Sequence, residues 1–234
     1  MEILYIISIV YLSFGILSFG YILFRIFITG QRQSMSIMNI VWPITGLYLA
    51  PIAVILFNKR SNTSHKMSLM DMKIPMHTTM KMSSPKVNLK STSQSTMHCG
   101  SGCTIGDAIS EPLMFIFPIA IVQNSLYNKW IIQFIFAFVT GILFQYIAIK
   151  QMQPKRSFSK IIVKALKADT LSLIFWQIGM YGGMAIAMSI LPKNSMRPTT
   201  SIYWFCMQLA MILGFCTAFP INYLLLKKGI KDPM

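Results

Sequence analysis

A thioether, an imidazole and two thiols fall within one short stretch, Met97-His98-Cys99-Gly100-Ser101-Gly102-Cys103. Thiolate, imidazole and thioether together suit Cu(I), and thiolate with imidazole suits Zn(II). Met97, His98, Cys99 and Cys103 are therefore a candidate ligand set. Glycines at 100, 102 and 106 remove side-chain bulk and let the backbone bend around an ion. A cysteine at a helix N-terminus has its thiolate stabilised by the helix dipole, so dithiol–disulfide cycling is a second chemistry for the same pair. The plainest alternative is a buried turn with inert thiols. Cys99, Cys103, Asp107 and Glu111 are spaced four apart throughout. Residues i and i+4 share a helix face. A helix reaching back to Cys99 would line all four groups on one stripe. A helix starting at Cys103, at the mouth of an apolar span, would instead fold His98 and Cys99 over its N-terminus.

The two carboxylates add a constraint. An ionisable group inside a membrane helix costs roughly 2.5–3.5 kcal/mol on insertion scales, so it faces the bundle interior and finds a partner. Asp169, at the start of a later apolar run, is a third such group. Lys164, Lys167, Gln145, Gln177 and Gln208 are the expected partners. Carboxyls so placed can relay protons or pass a cation, or they can simply hold helices together.

Upstream lies a second concentration of soft donors: His65, Met67, Met70, Met72, Met76, His77, Met80 and Met82. Thioethers bind Cu(I) or Ag(I) without losing a proton, so this stretch reads as an auxiliary collector of soft ions. The chain holds 19 methionines, so compositional bias is the competing explanation.

These groups must be positioned by membrane helices. The chain is 54% hydrophobic and only 12% charged, against roughly 25% charged in a soluble domain. Six apolar segments stand out, at about 3–24, 38–57, 104–123, 129–149, 169–191 and 201–226. Each is near the ~20 residues a helix needs to cross the hydrocarbon core. The fold expected is an all-α polytopic bundle of about six spans. It divides into two N-terminal helices (1–57), a flexible Met/His/Lys-rich loop (58–97) and a four-helix membrane domain (98–234). Of the 21 Lys and Arg, 16 fall on one side of this arrangement and five on the other. By the positive-inside rule the richer side, with both termini and the Met-rich loop, is cytoplasmic. Lysines in such loops account for the formal charge of +15, which leaves nucleic acid without a claim as partner. Within 150–168, Ile161, Ile162, Ala165 and Leu166 recur at helical spacing and predict a short interfacial amphipathic helix. Gly179, Gly183 and Ala187, and again Ala210, Gly214 and Ala218, form small-residue ladders for close helix packing. Pro43, Pro51, Pro118 and Pro220 are expected to kink their spans.

The stretch from His98 to Asp107 resembles the signature of a bacterial and archaeal membrane family, the domain of unknown function 4396. Two further stretches resemble it: Ala165 to Leu173, with Asp169, and Met207-Gln208 through Gly214-Phe215, Pro220, Asn222 and Gly229-Ile230-Lys231. The resemblance covers about 95–234. It implies a multi-pass protein of a prokaryotic plasma membrane and supports Cys99, Cys103, Asp107 and Asp169 as residues of interest. It carries no substrate. The residues themselves favour soft-metal binding, transport or delivery, with Cu(I) or Zn(II) as the ion. A thiol-redox protein, and an accessory subunit with a membrane partner or a second copy of itself, are the alternatives. No nucleophile elbow or phosphate-binding glycine loop is present, so an enzyme is not expected.

Overall fold

The computed structural model describes residues 1–33, 35–59, 88–117, 121–123 and 125–232. His65, Met67, Met70, Met72, Met76, His77, Met80 and Met82, with Pro118, lie outside the described residues. The described chain is all helix: α1 (Glu2–Phe27), α2 (Met38–Leu49), α3 (51–59), α4 (Leu89–Ile116), α5 (Ser125–Met152), α6 (Phe158–Ile190) and α7 (Ser201–Lys227), with a 3₁₀ turn at Lys193–Ser195.

Four helices, α1, α5, α6 and α7, are long and apolar enough to cross a membrane. The two other expected spans take different forms. The 38–57 segment breaks at Ala50, buried at φ +46°. Pro51 causes the break: a proline excludes the α conformation from the residue before it and lacks the N–H that would continue the helix. Pro43 and Pro220, by contrast, sit inside continuous helices.

The 104–123 segment changes more. The helix begins at Leu89, inside the stretch expected to be loop, and ends at Ile116. Its start is fixed by a capping box. The Asn88 side chain accepts from the Ser91 N–H at 2.8 Å, and the Ser91 hydroxyl accepts from the Asn88 N–H at 3.2 Å. Hydropathy hides this start, because residues 90–104 are almost all polar or small. They are nonetheless buried nearly all round, since α4 runs through the centre of the bundle against α2, α5, α6 and α7. The apolar neighbours supply the outer surface and the polar helix fills the middle.

Such centrality requires small side chains. A Cβ at Gly106 would stand 2.5 Å from the Ala137 Cα, and one at Gly102 2.8 Å from the Gly141 Cα, so α4 and α5 meet backbone to backbone. Thr140 seals the contact by donating to the Gly102 carbonyl at 2.7 Å. Both expected ladders meet each other: Gly179 faces Gly214, and Gly183 faces Ala210, across α6 and α7.

The amphipathic stretch of 158–168 is no separate interfacial helix. It is the first third of α6, whose 33 residues span about 50 Å. Ile161 and Ala165 pack inward on Ile149. Lys160, Lys164 and Lys167 line an open groove with Arg156. Two ends of the bundle follow. One, the tail end, gathers the starts of α4 and α6 and the residues after α7. The other, the hairpin end, gathers the end of α4 and the starts of α1, α5 and α7: the Ser8 and Ser201 hydroxyls are 2.8 Å apart, so the start of α1 and the residues after α7 lie at opposite ends and not on one face as expected.

Candidate functional site

Continuous helix through 97–111 decides between the two expected geometries. The thiols are not at a helix mouth; they lie in the middle of α4, with the stripe intact. Cys99, Cys103 and Asp107 are wholly buried and Glu111 is 3% exposed. The two thiols are free and lie one turn apart on one helix face. They share a core cluster with Trp176, Met180, Met184, Met207 and Met211.

The same helical continuity separates the four-ligand set. Successive residues on a helix point about 100° apart. Met97 therefore packs into a different cluster, with Trp42, Phe57 and Phe144. The His98 ring sits edge-on to Phe144 with centroids 5.9 Å apart. Among the described residues, no three His, Cys, Asp or Glu side chains converge as a metal site. Cys99 and Cys103 are brought together; Met97 and His98 are not brought to them.

The hairpin-end carboxyl is built from three helices. Glu111 Oε1 receives Lys129 Nζ at 2.8 Å and Gln133 Nε2 at 3.0 Å from α5, and the Tyr203 hydroxyl from α7. Lys129 also donates to the Tyr203 oxygen at 2.8 Å and lies 4.6 Å from that ring's centroid. One turn away, Asp107 has neither oxygen bonded among the described residues. Beside this centre is a cavity of about 10 Å³, bounded by Lys129, Tyr203, Met180, Met184, Met188 and Met207. That is room for about one water.

The tail-end carboxyl is Asp169, also wholly buried. Its Oδ1 receives Lys231 Nζ at 2.8 Å, and the same ammonium donates to Asn222 Oδ1 at 3.0 Å. Asn222 Nδ2 in turn donates to Ser172 Oγ at 2.6 Å. Asp169 Oδ2 and both His98 nitrogens have no partner among the described residues. The expected partners were elsewhere: Lys164 pairs with Asp232 at 2.5 Å, and Gln177 is buried with its amide unpartnered. The Gln208 oxygen is likewise unpartnered, while its amide nitrogen approaches Gly15.

Sequence reasoning missed Lys129, Gln133, Tyr203, Lys231 and the core methionines. The lysines were counted among loop charges, and the methionines of α6 and α7 passed as ordinary apolar residues. The spacing Met180, Met184, Met188 was the available signal, one face of a helix repeated every four residues.

A central polar helix inside a jacket of apolar crossing helices defines an α-helical membrane protein, its outer surface made for a lipid bilayer. Residues 89–231 match the family model described as a domain of unknown function, DUF4396. The chain belongs to that family, as the motifs of α4, α6 and α7 led us to expect. No curated protein and no solved structure matches it.

Proposed function

We propose that this protein binds a soft monovalent cation, Cu(I) or Ag(I) in chemistry, at the Cys99–Cys103 pair and passes it through the membrane. One observation carries the reading: a continuous buried stripe of two thiols and two carboxyls on the central helix, flanked by thioethers. Two sulfurs on one helix face form a two-coordinate soft site, and Met207 and Met211 of the same cluster add weaker donors. Asp107 and Glu111 on one side, and Asp169 on the other, offer negative charge along the route without competing for a soft ion. In this reading α4 crosses the bilayer with α1, α5, α6 and α7. The tail end, rich in lysine, faces the cytoplasm of a prokaryotic cell with the residues after α7, and the start of α1 lies on the other face.

Silver uptake into proteoliposomes tests it. Wild-type protein should accumulate Ag(I), and Cys99→Ser/Cys103→Ser should not. Asp107→Asn should bind the ion but move it roughly tenfold more slowly, about 1.4 kcal/mol at the barrier. Equal, negligible uptake by wild type and the double serine variant would sink the proposal. A disulfide that forms reversibly between the two cysteines, without ion binding, would reassign the pair to thiol–disulfide exchange.

A further inference from the structure

Lys231 is the least expected buried residue in the molecule. It follows α7, in a lysine-bearing tail of a kind that water normally solvates, yet its side chain is wholly buried. A short hook puts it there. Gly229 takes φ +67°, a conformation suited to glycine, and opens onto free space. The Ile230 and Lys231 amides then bond back to the Leu225 carbonyl at 3.0 and 3.3 Å. The hook is held on its far side by Asp232 against Lys164. Its ammonium ends among Asp169 Oδ1, Asn222 Oδ1 and, through the asparagine amide, Ser172 Oγ.

Stability alone does not explain this arrangement. Burying two charges costs several kcal/mol for each ion, and an apolar pair of similar volume serves as well or better. Nor is the pair fully satisfied. Asp169 Oδ2 is buried without a partner among the described residues, so the site offers one more oxygen than the ammonium uses. Carboxylate and amide oxygens are ligands for a small cation.

The geometry points to a cation site at Asp169 and Asn222 that the tail fills with its own tethered ammonium, Lys231. The class of ligand is a small monovalent cation of ammonium-like size. An ion arriving at Asp169 displaces the lysine, and the hook from Lys228 to Asp232 swings free of α6. The tail is thus a plug whose release is coupled to occupancy of the bundle. This goes beyond the soft-ion reading above, since oxygen donors take a hard cation that the thiol pair does not.

Chemical rescue with methylammonium tests the site directly. Lys231→Ala in detergent should melt well below wild type, and methylammonium chloride should restore its melting temperature saturably. Tetramethylammonium chloride at equal ionic strength should not. Asp169→Asn/Lys231→Ala should respond equally to both salts. In the wild type, saturating methylammonium should raise amide exchange of the 228–232 peptide several-fold. Equal response of Lys231→Ala to the two salts would overturn the site. Should that variant fail to fold, unchanged exchange of the wild-type tail would overturn it alone. The thiol assignment fails separately, because Lys231→Ala made in the Cys99→Ser/Cys103→Ser background retains the rescue even if the cysteines prove irrelevant to Ag(I).

Discussion

The two carboxyl centres of the bundle solve the same problem differently. At the hairpin end, Glu111 gathers three donors on one oxygen, and its lysine keeps 19% of its side chain exposed. At the tail end, Asp169 and Lys231 are both fully enclosed, with one carboxylate oxygen unbonded among the described residues. Glu111 is therefore a crowded, partly screened ion pair near an interface. Asp169 is a dry pair completed by a segment that belongs to no helix. The difference teaches which centre holds its charge permanently. A lysine on a helix face, as at Lys129, moves only if the helix moves; a lysine on a five-residue hook can leave.

The largest effect expected from this contrast is at the tail end. Lys231→Met leaves a buried carboxylate without its cation, a change that costs about 3–5 kcal/mol. SDS-titration unfolding should show that loss, and Asp169→Asn/Lys231→Met should recover most of it. Full loss in the double variant would mean the lysine acts through packing rather than charge. At the hairpin end the same experiment on Lys129→Met should cost less, about 1–3 kcal/mol, because Gln133 and Tyr203 still reach Glu111. A cost equal to that of Lys231→Met would erase the distinction between the centres.

A smaller effect is expected at Asp107, whose carboxyl has no hydrogen bond among the described residues. Asp107→Asn should unfold no more easily than wild type, since no buried hydrogen bond is broken, while silver uptake slows. A large destabilisation would reveal a structural role instead. Smallest is the coupling between the ends. Separate centres predict that Glu111→Gln and Asp169→Asn add in stability within about 0.5 kcal/mol. Additive stability together with non-additive uptake would show that the centres act in sequence on one ion.

Much of this arrangement is legible in the sequence, and the remainder is hidden for physical reasons. Cys99, Cys103, Asp107 and Glu111 announce themselves because helical periodicity is a local property. The ladders of Gly179 and Ala210 are legible for the same reason, and they do meet. Met97 and His98 looked like ligands because proximity in sequence resembles proximity in space. Inside a helix it does not, since neighbours diverge by about 100°. The start of α4 escaped notice because its polar residues follow no apolar period; only Asn88 and Ser91 mark it. Partners were least legible. Glu111 finds Lys129 on the next helix and Asp169 finds Lys231 on the tail, contacts set by the packing of whole helices. The methionines between 67 and 82 drew attention by their number, while Met180, Met184, Met207 and Met211 lie in the same cluster as the thiols.

The central claim concerns what the thiol pair holds. X-ray absorption at the copper edge, on protein loaded with Cu(I) under reducing conditions, reads the donors directly. The account predicts one ion per chain bound by two sulfurs, and no ion in Cys99→Ser/Cys103→Ser. A nitrogen-dominated shell, or copper that persists after both cysteines are replaced, would contradict it.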